Sequence, residues 1–329
     1  MDLADIERVA VFCPVSASGG PEALHQLSHA LRRGGVDCSM IYTDARHHTH
    51  VASEHIENDA PRAPEMLQFY AQYAPTHAAR LPWDARSLVI LPEGMAHLHR
   101  LFGVGKVAIW WLSVDNAYAI IPELRDRAFE RELFGRVDLI HLHQSAYARD
   151  FLKRMGAADV RELRDYTSPI FTRSPAAAPS AKRICAYNVA KGGDAGDRFF
   201  SQHPQLSGLR LQGFSKAQLQ EVFSQTRVYI DFGHFPGQDR MPREAAICGA
   251  VVFLHRKGAA AVQEDFPLPD AFKFSEEDLQ SGELARRVEA VLAEPTLAWM
   301  QQEDFRAMIR GEQDAFQRQV SALVPTTAL

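Results

Sequence analysis

Short apolar runs alternate with stretches of helical spacing along this chain, and the alternation stops once and then starts again. Val9–Val15 (VAVFCPV) is the first run; a Gly-Gly turn and a helical stretch over Glu22–Arg32 follow it. Val36–Tyr42, Leu88–Leu91, Val107–Leu112 and Leu139–Leu142 read as further strands, with helices predicted over Met95–Phe102, Glu123–Phe134 and Ala146–Met155. Apolar strands separated by helices pair in parallel, with helices covering both faces of the sheet. Thr172–Lys182 (TRSPAAAPSAK) breaks the pattern: it has two prolines, small residues and no large apolar side chain, and reads as a linker. Strands resume at Arg183–Tyr187, Leu209–Leu211, Arg227–Asp231 and Val251–His255, and from Glu276 onward the chain reads as charged helix. The expectation is an α/β protein of two Rossmann-like domains, residues 1–172 and 173–329, the second with a helical tail.

The length of 329 residues suits two domains better than one. A net charge of −5 argues against a chain that wraps nucleic acid, which needs a basic stripe. Any phosphate must be held by a few placed cations. Cys13, Cys38, Cys185 and Cys248 are scattered without a CxxC pair, as reduced buried thiols of a cytoplasmic protein would be. No cationic, apolar leader opens the chain, and no apolar run approaches the roughly 20 residues of a membrane span.

Open α/β sheets take ligands beyond the carboxyl ends of their strands. Ser16–Gly20 (SASGG) sits there after the first strand and opens a helix, where Gly19 and Gly20 would let an anion approach the backbone; a tight βα turn explains the segment equally well. Asn188 and Lys191 sit in Tyr187–Gly193 (YNVAKGG) after the first strand of the second half. Lys191 can reach a phosphate from such a loop, although a solvated lysine explains it better on this evidence alone. Asp231–His255 is the most informative segment. A strand ends at Asp231, a Gly/Pro-rich loop follows, Pro242 marks a helix start and Gly249 its end. Arg240 and Arg243 flank a helix start that already carries partial positive charge, which suggests an anion that needs them. Glu244 in the first turn is a ligand contact or simple complementation of the helix dipole. No DxD, Walker A or G-x-S-x-G motif is present. His47, His48 and His50 lie in a polar stretch without a metal-ligand frame and read as solvated loop.

These segments, in this order, resemble the GT-B glycosyltransferases, in particular the family 4-like enzymes of bacterial surface glycan synthesis. The likeness covers nearly the whole chain. SASGGPEALHQLSHAL resembles the family's glycine loop and first helix, and AYNVAKGG the start of its donor domain, where a basic residue meets the diphosphate. RMPREAAICGAVV resembles its E-A-x-x-x-G-x-P-V block, and GFSK, Gly213–Lys216, the loop bordering the nucleobase. The resemblance implies two Rossmann-like domains facing a central cleft. It also implies a nucleotide-diphosphate sugar as co-substrate, with no cofactor and no metal. The implied donor residues are Gly19, Gly20, Asn188, Lys191, Phe214, Ser215, Arg240, Arg243 and Glu244, the last on the ribose. The acceptor would be a hydroxyl of a glycan or lipid-linked glycan, with peripheral membrane contact and no transmembrane segment. The chain departs from the family in places. Where the family carries a glutamate eight positions before the ribose glutamate, Pro236 stands here and Asp239 is the nearest acid. The amino-terminal histidine has no clear match, and Ser113–Asn116 occupies comparable space. Asp115 is the candidate acceptor-side base. Two rival readings share the fold: a sugar-nucleotide 2-epimerase, and a non-catalytic glycan-binding or scaffold domain.

Overall fold

A computed structural model describes residues 2–44, 49–52, 54–173 and 181–325. The chain forms two compact units, Met1–Asp165 with Asp314–Leu329, and Tyr166–Gln313. Residues 174–180 of the expected linker lie outside the described residues, as do His47 and His48.

The strands of the first unit are β1 (Arg8–Pro14), β2 (Asp37–Thr43), β3 (Thr49–Val51), β4 (His55–Asn58), β5 (Arg80–Pro82), β6 (Ser87–Pro92), β7 (Lys106–Trp111), β8 (Leu139–His143) and β9 (Asp159–Glu162). Six of them form one sheet in the order β2-β1-β6-β7-β8-β9, parallel throughout. Every residue of β6 and β8 is buried, as a strand covered on both faces requires. Trp110 and Trp111 show how the two faces are filled, because successive side chains of a strand point to opposite sides. Trp111 packs among Phe134 and Phe151, with ring centroids 5.4 and 5.5 Å away. Trp110 is equally buried, and its indole N–H donates to the Leu163 carbonyl at 2.7 Å. Fully burying such a side chain contributes about 1.5–3 kcal/mol, and the polar end is satisfied as well.

The five sheet strands read from the sequence are all present. The unforeseen ones have short or polar sequences: β9, and the antiparallel sheet β3-β4-β5 inserted between β2 and β6. His50 stands on β3 opposite Glu57 rather than in a loop. Two expected helices also differ. In place of a helix over Met95–Phe102 there is a 3₁₀ helix over Glu93–Leu101, with Phe102 extended beyond its end. The stretch from Glu123 to Phe134 is broken at Asp126, whose carboxylate accepts from the Ala128 N–H and caps a new helix, Arg127–Gly135.

The second unit holds β10 (Ile184–Asn188), β11 (Gly208–Leu211), β12 (Thr226–Asp231), β13 (Val251–His255) and the two-residue β14 (Lys273–Phe274). They form a parallel sheet in the order β11-β10-β12-β13-β14. The helix Arg240–Ile247 ends as its sequence predicts. Gly249 takes φ +93°, its N–H donates to the Ala246 carbonyl at 2.9 Å, and the Ala250 N–H reaches the Ala245 carbonyl at 3.0 Å. This Schellman closure needs a left-handed residue, which glycine supplies without strain. The four cysteines are free and buried. Among the described residues no helix is long and apolar enough to cross a membrane.

Candidate functional site

The carboxyl ends of β10, β12 and β13 carry loops that are tied together by glycines. Gly192 has φ +74°, and a Cβ there would sit 2.6 Å from the Phe232 carbonyl oxygen. Gly233 is equally confined, its Cβ position lying 2.7 Å from Cβ of Lys191. The loop after β10 therefore lies directly on the loop after β12, an approach open only to glycine. The Ala259 N–H donates to the Phe235 carbonyl at 2.8 Å and ties in the loop after β13.

Charged and polar groups converge on this rim. Asn188 and Asp231 end the paired strands β10 and β12. The Asn188 side-chain amide donates to Asp231 Oδ2 at 3.3 Å, the Tyr229 hydroxyl donates to the same oxygen at 2.6 Å, and the Gly233 N–H donates to Oδ1 at 2.9 Å. Burial pushes Asp231 up to about 6 despite these donors. Lys191 Nζ meets Asp239 Oδ2 at 2.7 Å, and Asp239 is its one ionic partner among the described residues. Burial also raises Asp239, against the opposing pull of Lys191. Asp239 precedes the helix Arg240–Ile247, yet its side chain makes no cap bond to that helix; it turns to Lys191 instead.

Of the two arginines expected to need an external anion, Arg243 already has an internal one. Its side chain is wholly buried, with Nη1 3.0 Å from Glu312 Oε1. Its other nitrogens donate to the backbone carbonyls of Gln238 at 2.9 Å and Asp239 at 3.2 Å. Glu312 Oε2 in turn accepts from the Thr167 N–H and hydroxyl at 2.7 and 2.8 Å. In the structure the Arg243 guanidinium is thus engaged internally and holds the loop that carries Asp239. Arg240 is half-buried and Glu244 buried, both on the same helix. Ser215 caps the helix Lys216–Gln225 in a reciprocal box with Gln218, and Phe214 beside it is half-buried.

In the first unit, Gly19 and Gly20 open the helix Gly19–Arg33. A Cβ on Gly20 would meet only Leu112 Cδ1, at an ordinary 3.8 Å, so the fold itself does not demand glycine there. The loop before it is held by Tyr70, whose hydroxyl lies 3.2 Å from the Ser16 carbonyl and 3.3 Å from that of Ser18, while the His25 ring stacks on Tyr70 at 3.9 Å. Asp115 lies half-buried in the first turn of the helix Val114–Ile120 and accepts from the Tyr147 hydroxyl at 3.2 Å. Glu93, which the sequence reading passed over, is a buried carboxyl directly beyond β6. Its signal was the same as for the other rim residues, a polar side chain at the first position after an apolar run. Among the described residues there is no group of three or more His, Cys, Asp or Glu placed to hold a metal.

No family model matches the chain, and no curated protein does. Solved structures do. Sucrose-phosphate synthase from Thermosynechococcus elongatus superposes with a TM-score of 0.65 at 15% identity, over 96% of this chain and 98% of that one. An alpha-glucosyltransferase in complex with UDP and a 13-mer DNA gives 0.55 at 11%, over 98% and 100%. A protein assigned as a UDP-N-acetylglucosamine 2-epimerase from Listeria monocytogenes gives 0.53 at 11%, over 98% of each chain. The fold is GT-B. The match runs almost end to end in both directions, so the GT-B likeness belongs to the whole chain and not to one Rossmann-like unit. At such identities it concerns backbone architecture. The chemistry of this GT-B chain has to be argued from its own side chains.

Proposed function

We propose that the chain is a glycosyltransferase that moves a sugar from a nucleotide-diphosphate sugar, with UDP as the first nucleotide to test, to a hydroxyl acceptor. The observation that carries this reading is Lys191. It is a partly exposed cation at the carboxyl rim of the second sheet, on a loop that glycines press against its neighbour, with a single carboxylate partner. UDP is bound in one of the GT-B structures above, which supports the choice of nucleotide.

In this reading the donor's diphosphate takes Lys191 from Asp239, since two phosphates offer more negative charge than one carboxylate. Arg240 and the opening N–H groups of its helix add to the anion site, and Glu244 accepts from the ribose. Asp239, released from Lys191, is left facing the sugar hydroxyls, where Pro236 offers none of the acidity found in the resembling enzymes. Transfer breaks the bond between the anomeric carbon and the diphosphate oxygen. The electron pair stays with the departing nucleoside diphosphate, and Lys191 and the helix start stabilise the charge that develops there. No divalent ion is needed in this scheme. Donor recognition is assigned to the second unit. Gly19 and Gly20 stay among the donor residues, and acceptor recognition, with Asp115, is assigned to the first. A glycan or lipid-linked glycan acceptor, peripheral membrane contact and a reducing cytoplasmic setting complete the reading; four unpaired buried cysteines suit the last.

Calorimetry with UDP and uridine on wild type and Lys191→Ala tests it. The variant should lose at least tenfold in UDP affinity and keep its affinity for uridine. Equal UDP binding by both proteins would remove Lys191 from the site. The 2-epimerase reading is favoured by one GT-B neighbour. It requires the sugar nucleotide to change configuration without any acceptor, which NMR of the donor pool detects.

A further inference from the structure

The cation read as the donor's anchor carries an anion of the protein's own. Asp239 stands directly before the helix Arg240–Ile247, where an aspartate ordinarily turns its carboxylate onto the N–H of the second or third helical residue. Here the third is Pro242, which has no N–H, and the carboxylate reaches to Lys191 Nζ at 2.7 Å instead. That ammonium is its one hydrogen-bonded partner among the described residues. Both arms of the pair are anchored. The buried Arg243 guanidinium takes the backbone carbonyls of Gln238 and Asp239, which pins the segment bearing the carboxylate. Lys191 lies with its Cβ against Gly233 of the loop after β12, where even a methyl group would meet it at 2.7 Å. The two side chains remain 39% and 22% exposed, so a dissolved anion can compete for the lysine.

Resting on the glycosyltransferase reading, we propose that Asp239 is a built-in competitor of the donor: it holds Lys191 until a diphosphate displaces it, and a proton from solvent then replaces the lysine on the carboxylate. The charges facing Asp239 make that exchange favourable. Lys191 faces it from the loop after β10, His234 from the loop after β12 and Arg243 from its own helix, and Arg243 is matched by Glu312. Asp231 and the Tyr229 hydroxyl face it from β12, and the Asp231 carboxylate opposes a second negative charge. Burial raises the proton affinity of Asp239, and Lys191 does most to hold it down. Once Lys191 turns to a diphosphate, the carboxylate has lost its main counter-charge and gained an anionic neighbour. Binding one diphosphate and one proton then leaves a lysine–diphosphate pair and a neutral carboxyl, which can donate to a sugar hydroxyl. The same competition weakens the hold on the nucleoside diphosphate product. Affinity should therefore fall as pH rises from the proton affinity of the paired Asp239 to that of the displaced one, and level off above.

The test is calorimetry of the intact chain with UDP near neutral pH, in two buffers of different ionisation enthalpy, which counts the protons taken up. UDP's terminal phosphate itself titrates near about 6, so the quantity read is the difference between proteins. Wild type should take up about half a proton or more beyond Asp239→Asn. Asp239→Asn should bind UDP on the order of three- to tenfold more tightly, because the lysine no longer has to leave a carboxylate. Its affinity should also vary less with pH than that of the wild type. Lys191→Ala, whose Asp239 has no ammonium to lose, should bind more weakly and take up fewer protons than wild type; this comparison serves alone if Asp239→Asn does not fold. Equal proton uptake by wild type and the variants, or UDP binding no tighter in Asp239→Asn, would overturn the competitor and leave the donor site at Lys191 standing. UDP binding by Lys191→Ala that equals the wild type's, or no UDP binding by the wild type, would overturn both.

Discussion

Replacing Arg243 with Met removes a cation that is wholly buried and leaves behind a carboxylate that is 5% exposed. Breaking a buried ion pair from one side typically costs about 3–5 kcal/mol, because the remaining charge is neither solvated nor paired. Here Thr167 still donates twice to Glu312, so the loss should fall near 3 kcal/mol. At roughly 2–4 °C per kcal/mol for a unit of this size, the melting temperature should drop by about 6–12 °C. Neutralising the abandoned partner as well, with Arg243→Met and Glu312→Gln together, should restore at least half of that drop, since Gln still offers Thr167 a carbonyl oxygen. Thermal unfolding followed by circular dichroism, beside UDP calorimetry at a temperature where each variant is folded, separates the two roles. Should Arg243→Met melt within 1–2 °C of wild type and lose more than tenfold in UDP affinity, the guanidinium faces the ligand and the internal pairing is wrong.

Glu244→Gln should weaken UDP binding by a factor of ten to a few hundred, matching a lost charged hydrogen bond of about 1.5–3 kcal/mol, with a nearly normal melt. Asp231 binds a proton more readily in the folded chain, at about 6, than an ordinary aspartate does at 3.8, so wild-type stability should fall as pH rises from about 4 to 6 and level off above. Asp231→Asn should flatten that part of a urea-midpoint profile, and an unchanged slope would contradict the burial. Gly192→Ala places a Cβ 2.6 Å from a backbone oxygen at φ +74°, so it should lower both the melting temperature and UDP affinity more than Gly193→Ala does. Dialysis against a chelator should leave donor turnover nearly unchanged; loss of turnover with rescue by Mn²⁺ would refute the metal-free scheme.

Strand positions were legible because a strand covered on both faces must be apolar throughout, and Val251–His255 matches to the residue. Less was legible where identity depends on partners. Among the described residues Thr49–Val51 and His55–Asn58 pair with each other and with Arg80–Pro82, and they carry no apolar run to betray them. In the site, the helix start at Arg240 and its stop at Gly249 followed from local rules of proline and glycine. The fate of Arg243 did not, because its counter-charge lies at Glu312, a residue of the helical tail with no local signal of that role. Glu93 was passed over for a related reason. A Pro-Glu-Gly sequence after a strand reads as a turn, and only the folded sheet sets its carboxyl against the Leu112 amide.

The bond between Thr167 and Glu312, 2.7 Å from amide to carboxylate, joins the entry and the exit of the second unit. A unit fastened at its own two ends resembles a closed loop more than a length of chain, so joining those ends by a short bridge adds little entropic cost. The segment Tyr166–Gln313 can thus be cut out of its host, bridged and reopened at a surface turn as a circular permutant, since neither new end disturbs the rim that carries Lys191. Arg243 is the clasp that keeps those ends closed.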